Sequence, residues 1–215
     1  MEPAKHESVD HPLERLIFFS DAVFAIAITL LVIEIHVPVL ANVGDQAAID
    51  ALIHLMPSFF GFALSFLVIA RFWTGHHSAF NLTAHYHPSF MWPNLCLLMA
   101  IVFMPFATAF MAQNIGARVP TLVYNLTLTL TAVFSLRLIK KATAKPVRRA
   151  DATEEDVHLL IVRSRSVLFA ATLAFLLGLY RPDYSQMALV TIPLWLIVLT
   201  WAQRRRMAKA NSSII

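Results

Sequence analysis

Residues 16–37, LIFFSDAVFAIAITLLVIEIHV, form one long apolar run, and its stretch Ala22 to Ile33 carries no charge. A helix needs about 20 apolar residues to cross the hydrocarbon core of a bilayer. Inside lipid every backbone N–H and C=O must be paired within the protein, so a single run of this kind reads as a membrane-spanning helix. Arg15, Ser20 and Asp21 lie at or just inside one end of that helix. Ionisable groups at such a depth are costly; they rarely face lipid and usually pair or line a cavity.

Five further apolar runs follow, over about 49–73, 90–112, 119–139, 162–180 and 186–202. Pro57, Pro93 and Pro105 fall within them. Such prolines are tolerated in membrane helices when neighbours satisfy the freed carbonyls. Of the 215 residues, 58% are hydrophobic and 14% charged. A water-soluble domain would carry about 25% charged residues, so one solvent-facing core is excluded. The predicted fold is an all-α membrane protein with six transmembrane helices. An N-terminal segment 1–15 precedes a six-helix domain 16–203, and a basic tail 204–215 follows. Cys96 is the single cysteine, so there is no internal disulfide framework. The opening MEPAKHESVDHP has no apolar stretch, and no cleaved signal peptide is expected.

Positive charge sets the predicted orientation. Lys140, Lys141, Lys145, Arg148 and Arg149 fill the connection after the fourth run; Arg204, Arg205, Arg206 and Lys209 follow the sixth. With six spans both groups lie on the side of the N-terminus, which makes that side cytoplasmic. The net charge of +4 then reflects topology and does not call for nucleic acid, although the basic tail can touch anionic lipid. Trp73, Trp92, Tyr180, Tyr184 and Trp201 sit near span ends, as interfacial anchors do. Thr153 and Asp156 form a helix-start box, so the fifth helix is expected to begin before its apolar run.

On a helical wheel Ile26, Leu30 and Ile33 share one stripe of the first helix, with Ala22 and Thr29 on its flank. Phe19 and Val37 extend the stripe. Asp21 lies about 140° from Ile26 and about 120° from Arg15. Arg15 and Asp21 therefore do not stack as neighbours one turn apart, and a shared network needs a third group. His76, His77 and Asn81, just past the second span on the same side, are candidates. Taken alone, an apolar stripe of this kind serves lipid contact or core packing as readily as a pore. The polar cluster alone reads as a clamp at a helix end.

No copy of RLIFFSD recurs in the second half, so one chain would need partners to surround a pore. His76, His77, His85 and His87 form a His-rich tract, but no cysteine or carboxylate lies among them and the spacing matches no standard zinc site. No metal and no cofactor is expected; the histidines read as interfacial hydrogen-bonding groups. Thr127, Thr129 and Thr131 are expected to bond to carbonyls one turn back. Glu34, at the outer end of the first helix, is either a cation-attracting mouth charge or a solvated helix-end carboxylate. There is no phosphate loop, nucleophile elbow or pair of intramembrane carboxylates, which argues against an enzyme. A proton-coupled or other secondary transporter is the alternative to a channel. It predicts ionisable groups or broken helices at the midplane, and the midplanes here hold almost none.

The pattern R-x-x-x-F-S-D at Arg15, Phe19, Ser20 and Asp21, followed by AVFAIAITLL, resembles the first helix of the transmembrane protein 175 family. RFWTGHHSAF, residues 71–80, resembles the end of that family's second helix. Animal members are endolysosomal potassium channels with two six-helix repeats, whereas prokaryotic members have one repeat and assemble as tetramers. This chain is similar to the prokaryotic type. The resemblance implies a potassium-selective, leak-type channel in a prokaryotic cell (inner) membrane, a homotetramer whose partners are its own copies, lipid and permeant potassium. It implies that the first helices line the pore, with an apolar constriction at Ile26 and further pore-facing positions at Thr29, Leu30 and Ile33. Arg15, Phe19, Ser20 and Asp21 would then clamp the pore helix. The family lacks the TVGYG filter of ordinary potassium channels, and so does this sequence.

Overall fold

The computed structural model describes residues 11–40, 42 and 44–201. Among these, six helices are long and apolar enough to cross a membrane. They are α1 (His11–Ile33), α2 (Asp45–Asn81), α3 (Met91–Ala112, entered through a 3-10 turn at Pro88–Phe90), α4 (Arg118–Ala142), α5 (Glu154–Tyr180) and α6 (Pro182–Trp201). The only extended pairing among the described residues is an isolated antiparallel bridge between Thr83 and Arg148.

The helices are longer than the apolar runs that predict them. At 1.5 Å per residue, the 37 residues of α2 span about 55 Å, well beyond a hydrocarbon core of about 30 Å. His76, His77 and Asn81 therefore ride on α2 itself and do not fall in a loop after it. α5 starts at Glu154, ahead of its apolar run, because Thr153 and Asp156 form the reciprocal cap. The Asp156 N–H donates to Thr153 Oγ1 at 3.1 Å, and the Thr153 N–H donates to Asp156 Oδ2 at 3.3 Å. The first half of α6, Pro182–Thr191, is wound as a 3-10 helix. Pro182 opens it, where a missing N–H costs nothing.

α1 packs against α2 and α3 and touches neither α4, α5 nor the Pro182–Thr191 part of α6, whereas α4 packs against both α3 and α5. Leu13, Leu16, Ser20, Phe24, Ala27 and Leu31 are its buried residues, at intervals of three and four, so one stripe of α1 faces its own protomer. Interior hydroxyls tie the bundle together. The Thr108 and Ser65 hydroxyls are hydrogen-bonded at 2.7 Å, and those of Ser65 and Tyr124 at 3.2 Å, linking α3, α2 and α4. Asn125 donates to the Ala174 carbonyl at 3.0 Å and accepts from Gln186 at 3.0 Å, linking α4 to α5 and α6. Thr127, Thr129 and Thr131 bond to carbonyls one turn back, as expected of lone hydroxyls in an apolar helix. Gly61 lets α2 approach α3 closely: a Cβ there would lie 3.0 Å from that of Ala112.

Candidate pore-lining helix and its clamp

The polar residues near the start of α1 divide into two sets of contacts. The first is fully buried. Ser20 donates to the Leu16 carbonyl at 2.8 Å, which uses its single proton. It must therefore accept from Asn94 Nδ2, 2.9 Å away on α3. That turns Asn94 Oδ1 toward His76 Nε2 on α2, at 3.0 Å. His76 Nε2 thus carries a proton, and its other nitrogen, Nδ1, is buried without a partner among the described residues. Phe24 and Phe80 meet the imidazole edge-on, with ring centroids 5.5 and 4.7 Å away. Ser20, Asn94 and His76 together join the first three helices by side-chain hydrogen bonds in a dry interior, where a lost partner is expensive.

The second set is more open: Asp21 is half-buried, and Trp73 and His77 are exposed. Asp21 accepts a hydrogen bond at 2.9 Å from the Trp73 indole N–H on α2. His77 stacks on Trp73, with ring centroids 5.7 Å apart. Asp21 and Ser20 thus both reach α2, through different residues and from different sides of α1.

Of the positions singled out by sequence, Ser20, His76, Asp21 and His77 are brought into these two sets. Arg15 and Asn81 are not. Arg15 is exposed and forms no ion pair with Asp21 among the described residues. On an ideal wheel it lies within about 20° of Ile26, on the bare side of α1. Asn81 is exposed at the end of α2. Elsewhere in the His-rich tract, His87 accepts from the Ser89 N–H at 3.2 Å and caps the turn that leads into α3. Asn94 and Trp73 are the contributors the sequence reading does not assign. Asn94 carries a signal nonetheless, since an amide within an apolar run must find a partner.

The other side of α1 is bare. Phe19 is 53%, Ile26 57% and Ile33 68% exposed in the protomer, Thr29 is exposed and Leu30 is half-buried. Thr29 donates to the Ile26 carbonyl at 2.9 Å, which leaves its oxygen lone pairs directed outward as acceptors. Glu34 is half-buried just past the helix end.

These features define a multi-pass, all-helical membrane protein whose first helix is held on one face and open on the other. Residues 15–105 match the family described as "Endosomal/lysosomal potassium channel TMEM175". The chain is 36% identical over 188 residues to a potassium channel of Chamaesiphon minutus, covering 86% of this chain and 87% of the relative. It is 37% identical over 123 residues to a potassium channel of Streptomyces collinus, covering 55% of this chain and 59% of that one. The fold is similar to the crystal structure of a lysosomal potassium-selective channel TMEM175 homolog from Chamaesiphon minutus. The TM-score is 0.74 at 32% identity, over 88% of this chain and 98% of that one. The chain belongs to the TMEM175 family.

Proposed function

We propose that this chain forms a potassium-selective, leak-type channel as a homotetramer, with α1 of each copy lining a central pore and both termini in the cytoplasm. The observation that carries the reading is the division of α1. One stripe packs on α2 and α3, while Phe19, Ile26 and Ile33 stay more than half exposed on the other side. Four such faces around an axis make an apolar tube that no single protomer can close.

Ile26 is the constriction on this reading. A ring of isoleucines offers an ion no oxygen, so the ion sheds part of its hydration with little in return. A ring narrow enough to expel water becomes a dry gate. Three residues on, the Thr29 oxygens present lone pairs to an ion that has passed the ring. Leu30 and Ile33 continue the wall, and Glu34 places negative charge near the outer mouth. The Ser20 and Asp21 contacts fix α1 against α2 and α3, so the radius at Ile26 is set by the packing of the bundle. Arg15, at the cytoplasmic end of the bare side, is available to a neighbouring subunit. The relatives named as potassium channels support potassium as the permeant ion.

A carrier would place ionisable groups or a break at the middle of α1. The helix runs unbroken from His11 to Ile33, with no charge after Asp21. The test combines mass by light scattering in detergent with potassium flux into liposomes. A fourfold assembly whose flux follows the potassium gradient alone is the expected result. A stable monomer, or flux that requires a proton gradient, overturns it.

A further inference from the structure

Arg71, in the C-terminal third of α2, is half-buried where α2 meets α4 and α5. Among the described residues it makes no hydrogen bond and no ion pair. Arg163, exposed on α5, directly precedes the recess-lining Ser164 and stands one turn before Val167. An ionisable group at membrane depth is expected to have a counter-charge, and none pairs with Arg71 among the described residues. There is no aspartate or glutamate between Asp50 and Asp151, nor between Asp156 and Asp183. At the start of α5, Glu154 is engaged by Arg148 and Asp156 by the Thr153 cap, while Glu155 is exposed two turns before Arg163.

The surroundings of Arg71 suit an anion. Beside Arg71, Ser135 and Ser164 face a small recess of about 10 Å³, room for about one water. Neither hydroxyl has a hydrogen-bond partner among the described residues, although Thr131 and Ser166, on the same two helices, bond back to their own carbonyls. Past Phe72 and Val167 the recess opens into an apolar groove of about 280 Å³ between α2 and α6. Leu64, Leu67, Val68, Leu189 and Val190 line the groove, and Arg71 stands at its end. A cationic end joined to an apolar channel is the shape of a charged headgroup with a hydrocarbon tail.

The direction of the groove favours lipid over a second subunit. Trp73, which meets α1 through Asp21, lies about 160° around α2 from Arg71. α1 touches neither α5 nor the Pro182–Thr191 part of α6. The groove therefore opens on the side of the protomer away from α1.

We propose that Arg71 and Arg163 bind the phosphate of an anionic phospholipid from the cytoplasmic leaflet at the end of the groove, with an acyl chain in the groove. Guanidinium groups match phosphate oxygens in a two-pronged fork, and anionic lipid is enriched at that surface. The proposal rests on the inferred orientation of the chain and not on conduction.

The full-length protein, stripped of lipid in mild detergent, is titrated with phosphatidylglycerol and followed by native mass spectrometry and thermal melting. Phosphatidylcholine of the same chain length, glycerol 3-phosphate and inorganic phosphate are run beside it. Phosphatidylglycerol is expected to stay bound and raise the melting temperature, and the other three are not. Arg71→Gln and Arg163→Gln should each weaken retention about tenfold, the scale of one charge-assisted hydrogen bond. Leu67→Trp, at a position 67% exposed, should weaken it by filling the groove with no change of charge. Lys145→Gln, on the exposed connection, should not. Should Arg71→Gln fail to fold, Arg163→Gln and Leu67→Trp decide. Wild-type retention in both of these overturns the proposal. So do equal binding of the two lipids, binding of inorganic phosphate as tight as that of phosphatidylglycerol, and a wild-type assembly that takes up no lipid.

Discussion

The Trp73 indole N–H donates to Asp21 Oδ1 at 2.9 Å, and this bond fixes the polar end of α1 to α2. Asp21 is about 140° from Ile26 on the helix, so the contact lies off the exposed stripe and bears on assembly before it bears on the ion. Asp21→Ala and Trp73→Phe should each lower the yield of assembled protein on size exclusion and lower its melting temperature. Trp73 is 40% exposed, so the cost falls near 1 kcal/mol, below the usual range for a charged hydrogen bond. The double variant should be little worse than either single one. An Asp21→Ala protein that assembles normally but loses preference for potassium would place this carboxylate in the pore.

The buried set is costlier to break. Asn94→Leu leaves the His76 Nε2 proton without an acceptor in a dry site, and Ser20 without its donor. Each unsatisfied buried group costs about 1–3 kcal/mol. The melting temperature in detergent should fall by more than for any exposed polar change on α2, such as Asn81→Ala. Equal small shifts at Asn94 and Asn81 would show that the network does not hold α1 to α3.

Gly61→Ala tests the approach of α2 to α3. The new methyl would sit 3.0 Å from the Ala112 Cβ, which cannot swing aside. Overpacking of this kind costs about 1–3 kcal/mol. Gly44→Ala, where a Cβ meets nothing within 4 Å, is the control without a clash and should shift melting only by the loss of a glycine N-cap, less than Gly61→Ala does.

The orientation is tested by labelling single cysteines in intact cells, in a Cys96→Ser background. An impermeant reagent should modify Gly44→Cys and spare Lys145→Cys. The reverse pattern would invert the topology and move Arg71 and Arg163 to the outer leaflet.

The helices themselves are legible in the residues, because each apolar run is long enough to admit no reading but a membrane span. Their ends are less so. Hydropathy marks where a helix leaves lipid and not where it stops, so α2 continues through His76 and His77 to Asn81 with no apolar signal. The 3-10 winding of Pro182–Thr191 leaves no clear trace either. Trp73 shows why site partners are harder to read than spans. A tryptophan near a span end suits an interfacial anchor and a hydrogen-bond donor equally, and only the placement of Asp21 decides between them. Asn94 is a partner that needs two others from distant helices, 18 and 74 residues away in sequence, which no local spacing encodes.

The central claim, that the bare side of α1 is the conduction path, is tested most directly by potassium and sodium flux through variants at two positions of that helix. Ile26 is 57% exposed, and Ile28, about 160° away, is half-buried against the bundle. Ile26→Ala should widen the ring, and Ile26→Asn should widen and wet it. Both should raise potassium flux, by about tenfold if ~1.4 kcal/mol of barrier is removed, and both should weaken discrimination against sodium. Ile28→Ala and Ile28→Asn should leave permeation much less affected while lowering stability. Equal effects at the two positions, or unchanged currents at Ile26, would contradict the account.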